Sequence, residues 1–411
     1  MGMQRIALIT ERFPFSGADS AFLPREVEIL AESFSLVVLP TSRFGAPKPL
    51  PSGVELDTSL CEMPLRPVVI QLLPALVSGE LWREVRRHDC VTKDPRRLVR
   101  LAVRAARVRR ARQQFTAWLA EARAIDAAYA WWSTPPAVGV GQALVDSGIP
   151  LVTRAHGYDL YASQDVLGFV PFQQDLLDLA ASVYSASEAG AEYLRQAYPA
   201  RADRVGVAYL GVDGPSYVTR ASDDGVYRIV TCSRVVTVKR LDRLVEALEL
   251  LVRSGRTVEW THLGGGPLLE ELQDEVRSRR IPCTFVGQIP HDEVITWLTS
   301  HPVDLFCNVS DSEGLPVSLM EASACGIPLL ARNVGGNREI VDDSVGCLLP
   351  EYSEAGDIAA AIASLMDLPP ESSTGMRRAS RARWAERFQA EKNYVCFAET
   401  LADLAAERPR P

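Results

Sequence analysis

The 411 residues contain no run of 18 apolar residues, so no transmembrane helix is expected. They contain no Cys-x-x-Cys pair. The eight cysteines, at 61, 90, 232, 283, 307, 325, 347 and 396, are scattered, which argues against a zinc or redox motif and against a disulfide framework. The reading is reduced, cytoplasmic thiols, several of them in buried strands. Basic residues are not in excess: 44 Lys and Arg stand against 52 Asp and Glu, for a net charge of −8. The chain as a whole thus has no nucleic-acid footprint, and no nucleic acid is expected as a partner. The opening MGMQRIALITERF lacks the basic, apolar and cleavage-site order of a signal peptide. There is no internal repeat and no low-complexity tract.

What is present is ordinary for a globular protein, with 47% hydrophobic and 23% charged residues. A single core rarely grows past about 250–300 residues, so two domains are expected. Short apolar segments alternate with helical patterns almost throughout, which points to parallel βαβ units. In the first half the strand-like runs are 5–11, 34–40, 127–132, 150–157, 182–187 and 204–210. A stretch rich in Gly, Asp and Ser at 211–225 reads as a linker. The alternation restarts at 227–234, 257–266, 282–289, 303–310, 328–336 and 346–350, and a long Arg- and Ala-rich helix is expected at 376–408. The fold class is α/β, with two doubly wound Rossmann-like domains facing a cleft. Ligands in such sheets sit beyond the carboxyl ends of the strands, so the residues after each strand carry the functional reading.

Glu313 and Glu321 have seven residues between them, among them Gly314 and Pro316 and the start of an apolar helical run. Glycine allows close backbone approach, the first N–H groups of a helix favour an anion, and carboxylates only accept hydrogen bonds. Together they suit a ligand that combines hydroxyl groups with phosphates. On spacing alone, a helix-start acid and a surface acid of an amphipathic helix are the favoured reading. Arg234 ends a strand-like run, and Lys239 follows five residues on; fixed cations there would stabilise charge on a leaving phosphate. Two solvated surface cations are the alternative. HLGGGPLLEELQ, at 262–273, makes a glycine turn between a strand and a helix, without the full Gly-x-Gly-x-x-Gly spacing.

The ordered segments EGLPVSLMEA, GIPLLARNVGGNREIV and TCSRVVTVKRLDRLVEAL resemble retaining glycosyltransferases with the GT-B fold, family 4, of the glycosyl transferases group 1 type. The resemblance covers nearly the whole chain. It implies a hexosyltransferase using a nucleoside-diphosphate sugar, with Arg234 and Lys239 on the diphosphate, Glu313 on the donor sugar and Glu321 on the ribose. The backbone of Gly314, Leu315 and Pro316 would approach the donor. Gly264 and Gly266 would line the nucleotide side, and Gln288 and Ile289, in FVGQIPHDEV, would touch the base. His156, in TRAHGYDLYA, matches the family's histidine beside the donor sugar. Gly17 stands in the loop after the first strand, where many members carry two glycines. At 129–132 relatives often show His-x-His, whereas this chain has YAWW, so acceptor recognition is expected to differ. The wider stretch 153–199 resembles a subgroup linked with bacterial surface and exopolysaccharide assembly. The implied catalytic set is His156, Glu313, Arg234 and Lys239, with no enzymic nucleophile. There is no Asp-x-Asp motif, and no metal or cofactor is expected.

The resemblance also implies a division into residues 1–215 on the acceptor side, 216–383 for the nucleotide-sugar, and a terminal helix, 384–411, packing back on the first domain. From Arg83 to Arg112, twelve Lys or Arg stand against three Asp or Glu, over an apolar stripe of Leu98, Leu101, Ala105, Val108, Phe115 and Leu119. This reads as an amphipathic helix. Its cationic face could meet lipid headgroups or a lipid diphosphate, which would place a cytoplasmic protein peripherally on the inner membrane face. A helix packed on the first sheet with solvated arginines remains equally open. The acceptor is expected to be a glycan, a lipid-linked or a small molecule. A nucleotide-sugar epimerase, a phosphorylase and a non-catalytic partner subunit are the rival readings.

Overall fold

The computed structural model of the chain describes residues 3–17, 19, 22–61, 72–121 and 124–406. Residues 1–2 of the expected first domain, Ala18, Ser20 and Ala21 of its first loop, and 407–411 of the expected terminal helix lie outside these. Two units are distinguished, Met1–Ala208 with Tyr394–Pro411, and Tyr209–Asn393.

The first unit holds strands β1 (Arg5–Thr10), β2 (Ser35–Pro40), β3 (Glu55–Leu56), β4 (Ala127–Ala130), β5 (Leu151–Ala155), β6 (Ser182–Ser185) and β7 (Val205–Val207). They form one parallel sheet in the order β3-β2-β1-β4-β5-β6-β7. All four residues of β4 and all five of β5 are buried, the pattern of strands covered on both faces. The strand order reverses between β1 and β4, so the loops leaving those two strands flank a topological switch point. The two-residue edge strand β3 was absent from the expected set, because two residues carry no readable periodicity.

The second unit holds β8 (Tyr227–Cys232), β9 (Val258–Leu263), β10 (Cys283–Gly287), β11 (Leu305–Asn308), β12 (Leu329–Arg332) and β13 (Gly346–Leu349). They too are parallel, in the order β10-β9-β8-β11-β12-β13, with the switch between β8 and β11. Each sheet has its own apolar core, one including Leu101, Phe115 and Leu151, the other Leu248, Trp260 and Leu330.

Three expectations are corrected. Residues 211–225 are not a solvated linker: Val212 and Thr219 are buried, and Thr219 Oγ1 donates to the Leu298 carbonyl at 2.9 Å. The long terminal helix is two, Pro370–Arg387 and Ala390–Ala406. Val212 pairs between them, its N–H donating to Phe388 O and its carbonyl accepting from Ala390 N–H. Gly211 makes this possible, since a Cβ there would stand 2.5 Å from the Ala390 Cα. The basic stretch is likewise two helices, Gly79–Arg87 and Pro95–Ala120, the second started by Asp94, whose carboxylate accepts from Arg96 N–H. Its stripe is buried as expected at Leu101, Ala105, Val108 and Phe115. In the first unit, Phe397 of the last helix packs on Tyr129, ring centroids 5.0 Å apart. All eight cysteines are free.

Candidate functional site

The loops leaving β8 and β11 are neighbours because the second sheet switches direction there. The Asp311 N–H donates to the Val238 carbonyl at 2.8 Å and ties the two loops together. Lys239 and Glu313 then meet, Nζ to Oε1 at 2.6 Å, and the same Oε1 accepts from Asn308 Nδ2 at 3.0 Å. Glu313 is 8% exposed, so both bonds act where water screens little. Behind it, Gly335 has φ +50, and a Cβ there would meet the Glu313 carbonyl oxygen at 1.9 Å. Only glycine lets the two turns close, and the Gly336 N–H donates to Gly314 O at 2.8 Å. Gly314, Leu315 and Pro316 follow, and the helix Val317–Ala324 begins directly after Pro316.

Glu321 lies on that helix and is 3% exposed. Burial pushes its carboxyl up to about 8. His291 Nδ1 stands 3.4 Å from Glu321 Oε1. Near neutral pH this carboxyl is mostly protonated, so it can donate to a ligand hydroxyl as well as accept from one. Arg234 is exposed and, among the described residues, has no ion pair. Arg240 instead pairs with Asp242 and Asp311, and Arg332 also holds Asp311. Burial raises the Asp311 carboxyl, but the hydrogen bonds from Arg332 and Arg240 outweigh it and keep it below the usual range.

The glycine turn after β9 is sterically required. Gly264 has φ +134, and a Cβ there would meet Ser233 O at 1.9 Å; at Gly266 it would meet Val235 O at 2.4 Å. The Gly264 N–H donates to Gly287 O at 2.8 Å, which sets Gln288 and Ile289 beside this turn. The second unit therefore gathers Arg234, Lys239, Gly264, Gly266, Gln288, Ile289, Glu313 to Pro316 and Glu321 at the loops leaving β8 to β11.

Gly17 and His156 belong to the first unit. Gly17 lies in the loop after β1, where a Cβ would meet the Arg12 Cβ at 2.7 Å. His156 follows β5. Its ring lies 4.1 Å from that of Trp131 and 4.6 Å from that of Trp132, centroid to centroid. Among the described residues neither ring nitrogen has a hydrogen-bond partner, and Nδ1 is 3.7 Å from Asp159 Oδ2. Asp159 accepts the N–H groups of His156, Gly157 and Ser133 at 2.8, 3.0 and 2.9 Å. Burial raises its carboxyl, yet the His156 ring and these N–H groups bring it below the usual value. Beneath, Glu26 accepts from Tyr129 Oη, Trp131 Nε1 and Arg154 Nη1 at 3.0, 3.0 and 2.9 Å, with the Glu26 and Arg154 side chains fully buried.

Sequence reasoning missed Asn308, His291, Asp159 and Glu26. Asn308 ends a strand and His291 stands in a quoted segment, so position alone could have raised them. Nothing local marks Glu26, whose partners come from β4 and β5.

Two parallel α/β units of this topology define the GT-B fold. Residues 219–383, within the second unit, match the family described as Glycosyl transferases group 1. The amylovoran biosynthesis glycosyltransferase AmsK of Erwinia amylovora is 28% identical over 215 residues, 50% of this chain and 52% of its own length. The putative colanic acid biosynthesis glycosyltransferase WcaL of Escherichia coli strain K12 is 27% identical over 62% of this chain and 63% of its own. The chain thus spans between half and two thirds of the length of these relatives. Among solved structures, Anabaena Alr3699/HepE in complex with UDP and glucose superposes with a TM-score of 0.67 at 18% identity, over 98% of this chain and 100% of that one.

Proposed function

We propose that the chain is a retaining glycosyltransferase that moves a hexose from a nucleoside-diphosphate sugar to a glycan, lipid-linked or small-molecule acceptor in polysaccharide or glycoconjugate biosynthesis. The observation that carries this reading is the Lys239–Glu313 contact at the β8/β11 switch, beside the buried Glu321. The family domain and the relatives named for amylovoran and colanic acid biosynthesis support it, as does the UDP- and glucose-bound HepE structure.

Arg234 and Lys239 bind the diphosphate, and Lys239 exchanges part of its bond to Glu313 for phosphate oxygens. Glu313 then accepts from sugar hydroxyls and Glu321 binds the ribose. Gly264, Gly266, Gln288 and Ile289 take the nucleotide, and the backbone at Gly314, Leu315 and Pro316 approaches the donor. His156 and Gly17 serve the sugar from the first unit. Residues 1–215 take the acceptor and 216–383 the donor, and the terminal helix returns to the acceptor half. In transfer, the bond from the anomeric carbon to the leaving phosphate oxygen breaks as the acceptor oxygen bonds on the same face. The acceptor proton passes to the leaving phosphate. Negative charge grows on that phosphate, and Arg234 and Lys239 stabilise it without a divalent metal.

We place the protein in the cytoplasm with a peripheral membrane contact through 83–112. Among the described residues no helix is long and apolar enough to cross a membrane. Arg87, Arg104 and Arg110 are engaged, with Asp175, Asp165 and the Cys61 carbonyl respectively. Arg83 also lies 3.8 Å from Asp175, so exposed Arg86, Lys93, Arg96 and Arg100, with exposed Trp82 and Val99, are the surface left for anionic headgroups.

The test is a thermal-shift screen with nucleotide-sugars, followed by release of nucleoside diphosphate with and without acceptor. Arg234→Ala combined with Lys239→Ala should suppress transfer at least about a hundredfold. Unchanged turnover would refute the assignment. Conversion of donor without any acceptor would indicate an epimerase, and a requirement for free phosphate a phosphorylase. Loss of transfer in a chelator, restored by metal, would refute the metal-free mechanism.

A further inference from the structure

One histidine of the second unit stands inside the sheet, where the donor reading gives it no role. His262 is fully buried on β9, opposite Thr231 of β8 in the strand register. The Trp260 and Phe285 rings stand beside it, centroids 5.9 and 6.2 Å away. Burial pushes the imidazole down to about 4, against the Ser233 carbonyl, which favours the protonated ring. Near neutral pH the ring is therefore uncharged. It then has one donor nitrogen and one acceptor nitrogen.

The neighbours decide which nitrogen carries the proton. The Trp260 indole can only donate, and its Nε1 donates to Thr231 Oγ1 at 3.0 Å. The Thr231 hydroxyl must then place its own proton, and His262 Nδ1 lies 2.8 Å from that oxygen. Nδ1 accepts it, which leaves the ring proton on Nε2. The opposite tautomer would leave the threonine proton unplaced and turn a lone pair towards the Ser233 carbonyl. Nε2 makes no hydrogen bond of full geometry among the described residues, and the Ser233 carbonyl is the backbone acceptor it faces. The same carbonyl fills the space that Gly264 leaves: a Cβ there would stand 1.9 Å from Ser233 O and 3.4 Å from His262 Nε2.

Ser233 directly precedes Arg234. Its N–H donates to Leu263 O at 3.0 Å, and the Val235 N–H donates to Gly265 O at 3.0 Å. The Arg234 side chain is exposed and has no ion pair among the described residues, so its backbone sets its direction. We infer that His262 is a positioning residue for the diphosphate site: its Nε2–H holds the Ser233 carbonyl, fixes the Ser233–Arg234 peptide and so aims the Arg234 guanidinium. Trp260 and Thr231 serve it by keeping the proton on Nε2. The role rests on the donor function proposed above. When a diphosphate draws on Arg234, the contact between Nε2 and the carbonyl tightens. A ring that merely filled space would work as well as phenylalanine.

The experiment is nitrogen-15 NMR of the full chain labelled at histidine, with titrations of UDP, GDP and ADP and of their nucleosides. Five histidines are present, and the spectrum of His262→Phe identifies the signal of His262. The ring should report the Nε2–H tautomer, and its Nε2 signal should move when a diphosphate binds. His262→Phe should weaken that diphosphate about tenfold and its nucleoside by less than about twofold. His262→Gln, whose amide can put an N–H where Nε2 stood, should recover most of the loss, and the shorter His262→Asn should not. In an Arg234→Ala background, His262→Phe should cost nothing further. An Nδ1–H tautomer, equal losses of nucleoside and diphosphate, or losses that add to that of Arg234→Ala would overturn the inference. Should His262→Phe fail to fold, Thr231→Val, which removes the hydroxyl and keeps the shape, should show the same selective loss; full diphosphate affinity in it would refute the relay. A wild type that binds none of the three diphosphates in a thermal-shift assay sinks the donor reading, and this role with it. Diphosphate binding by a chain whose ring is the Nδ1–H tautomer sinks the role alone.

Discussion

Replacing Glu321 with glutamine should make the protein more stable and a worse binder of donor. Burial lifts this carboxyl from 4.5 to about 8. Between those values the unfolded chain releases the proton while the folded one keeps it. The native state therefore binds more protons there, and its stability falls as pH rises. The separation of about 3.5 pH units corresponds to about 5 kcal/mol at about 1.36 kcal/mol per unit. That penalty is absent below about pH 4.5, grows to about pH 8 and is constant above it. Glutamine has the same shape and no ionisable proton, so its difference from wild type should follow this course. The assay is urea unfolding of the wild type and Glu321→Gln at about pH 5, 6.5 and 8.5, followed by tryptophan emission. The variant should gain little at the lowest pH and several kcal/mol at the highest. Donor binding should weaken most above about pH 8, where the wild type offers the carboxylate that best accepts ribose hydroxyls and the amide cannot. Parallel pH courses in the two proteins would refute the buried-carboxyl argument, whatever happened to binding.

Other outcomes follow from particular contacts. Gly264→Ala should lower the melting temperature by several degrees and abolish the donor thermal shift, since its φ of +134 and the Ser233 oxygen exclude a Cβ. Gly265→Ala is the paired control: its Cβ would meet only the Gln288 Cβ, at 4.0 Å, so it should melt with the wild type. Glu26→Gln should destabilise the first unit by about 3–5 kcal/mol, because the Arg154 guanidinium would stay buried without its counter-charge. Its signature would be an altered tryptophan emission together with the lower melting temperature; an unshifted denaturation curve would show that the ion pair contributes nothing net. Vesicles containing anionic lipid should retain the wild type and release a variant with Arg86, Lys93, Arg96 and Arg100 changed to Gln, and retention insensitive to salt would contradict a charge-driven contact.

Much of the architecture was open to reading in one dimension. Buried parallel strands are continuous apolar runs, and helices repeat about every 3.6 residues, so alternation announced two α/β halves. The glycines after β9 and the acid pair flanking a helix start were visible as local patterns. The errors fell where a local pattern met a distant partner. Residues 211–225 have a linker's composition, yet Gly211 and Gly214 are there so that helix residues Ala390 and Trp384 can approach. A helix-forming run from 376 is cut because Val212 hydrogen-bonds into it.

Residues a few positions apart were enough to announce the class of fold, the location of the glycine turns and the charged groups that follow the strands. Which charges meet was settled only by packing: Lys239 finds Glu313 across 74 positions, and Arg154 finds Glu26 across 128. Packing alone buried Glu321 deeply enough to hold its proton, and left the His156 ring nitrogens without hydrogen-bond partners among the described residues. Pairing and desolvation belong to the folded chain, because they are set by which strands lie side by side at each switch point, and no window of sequence contains them.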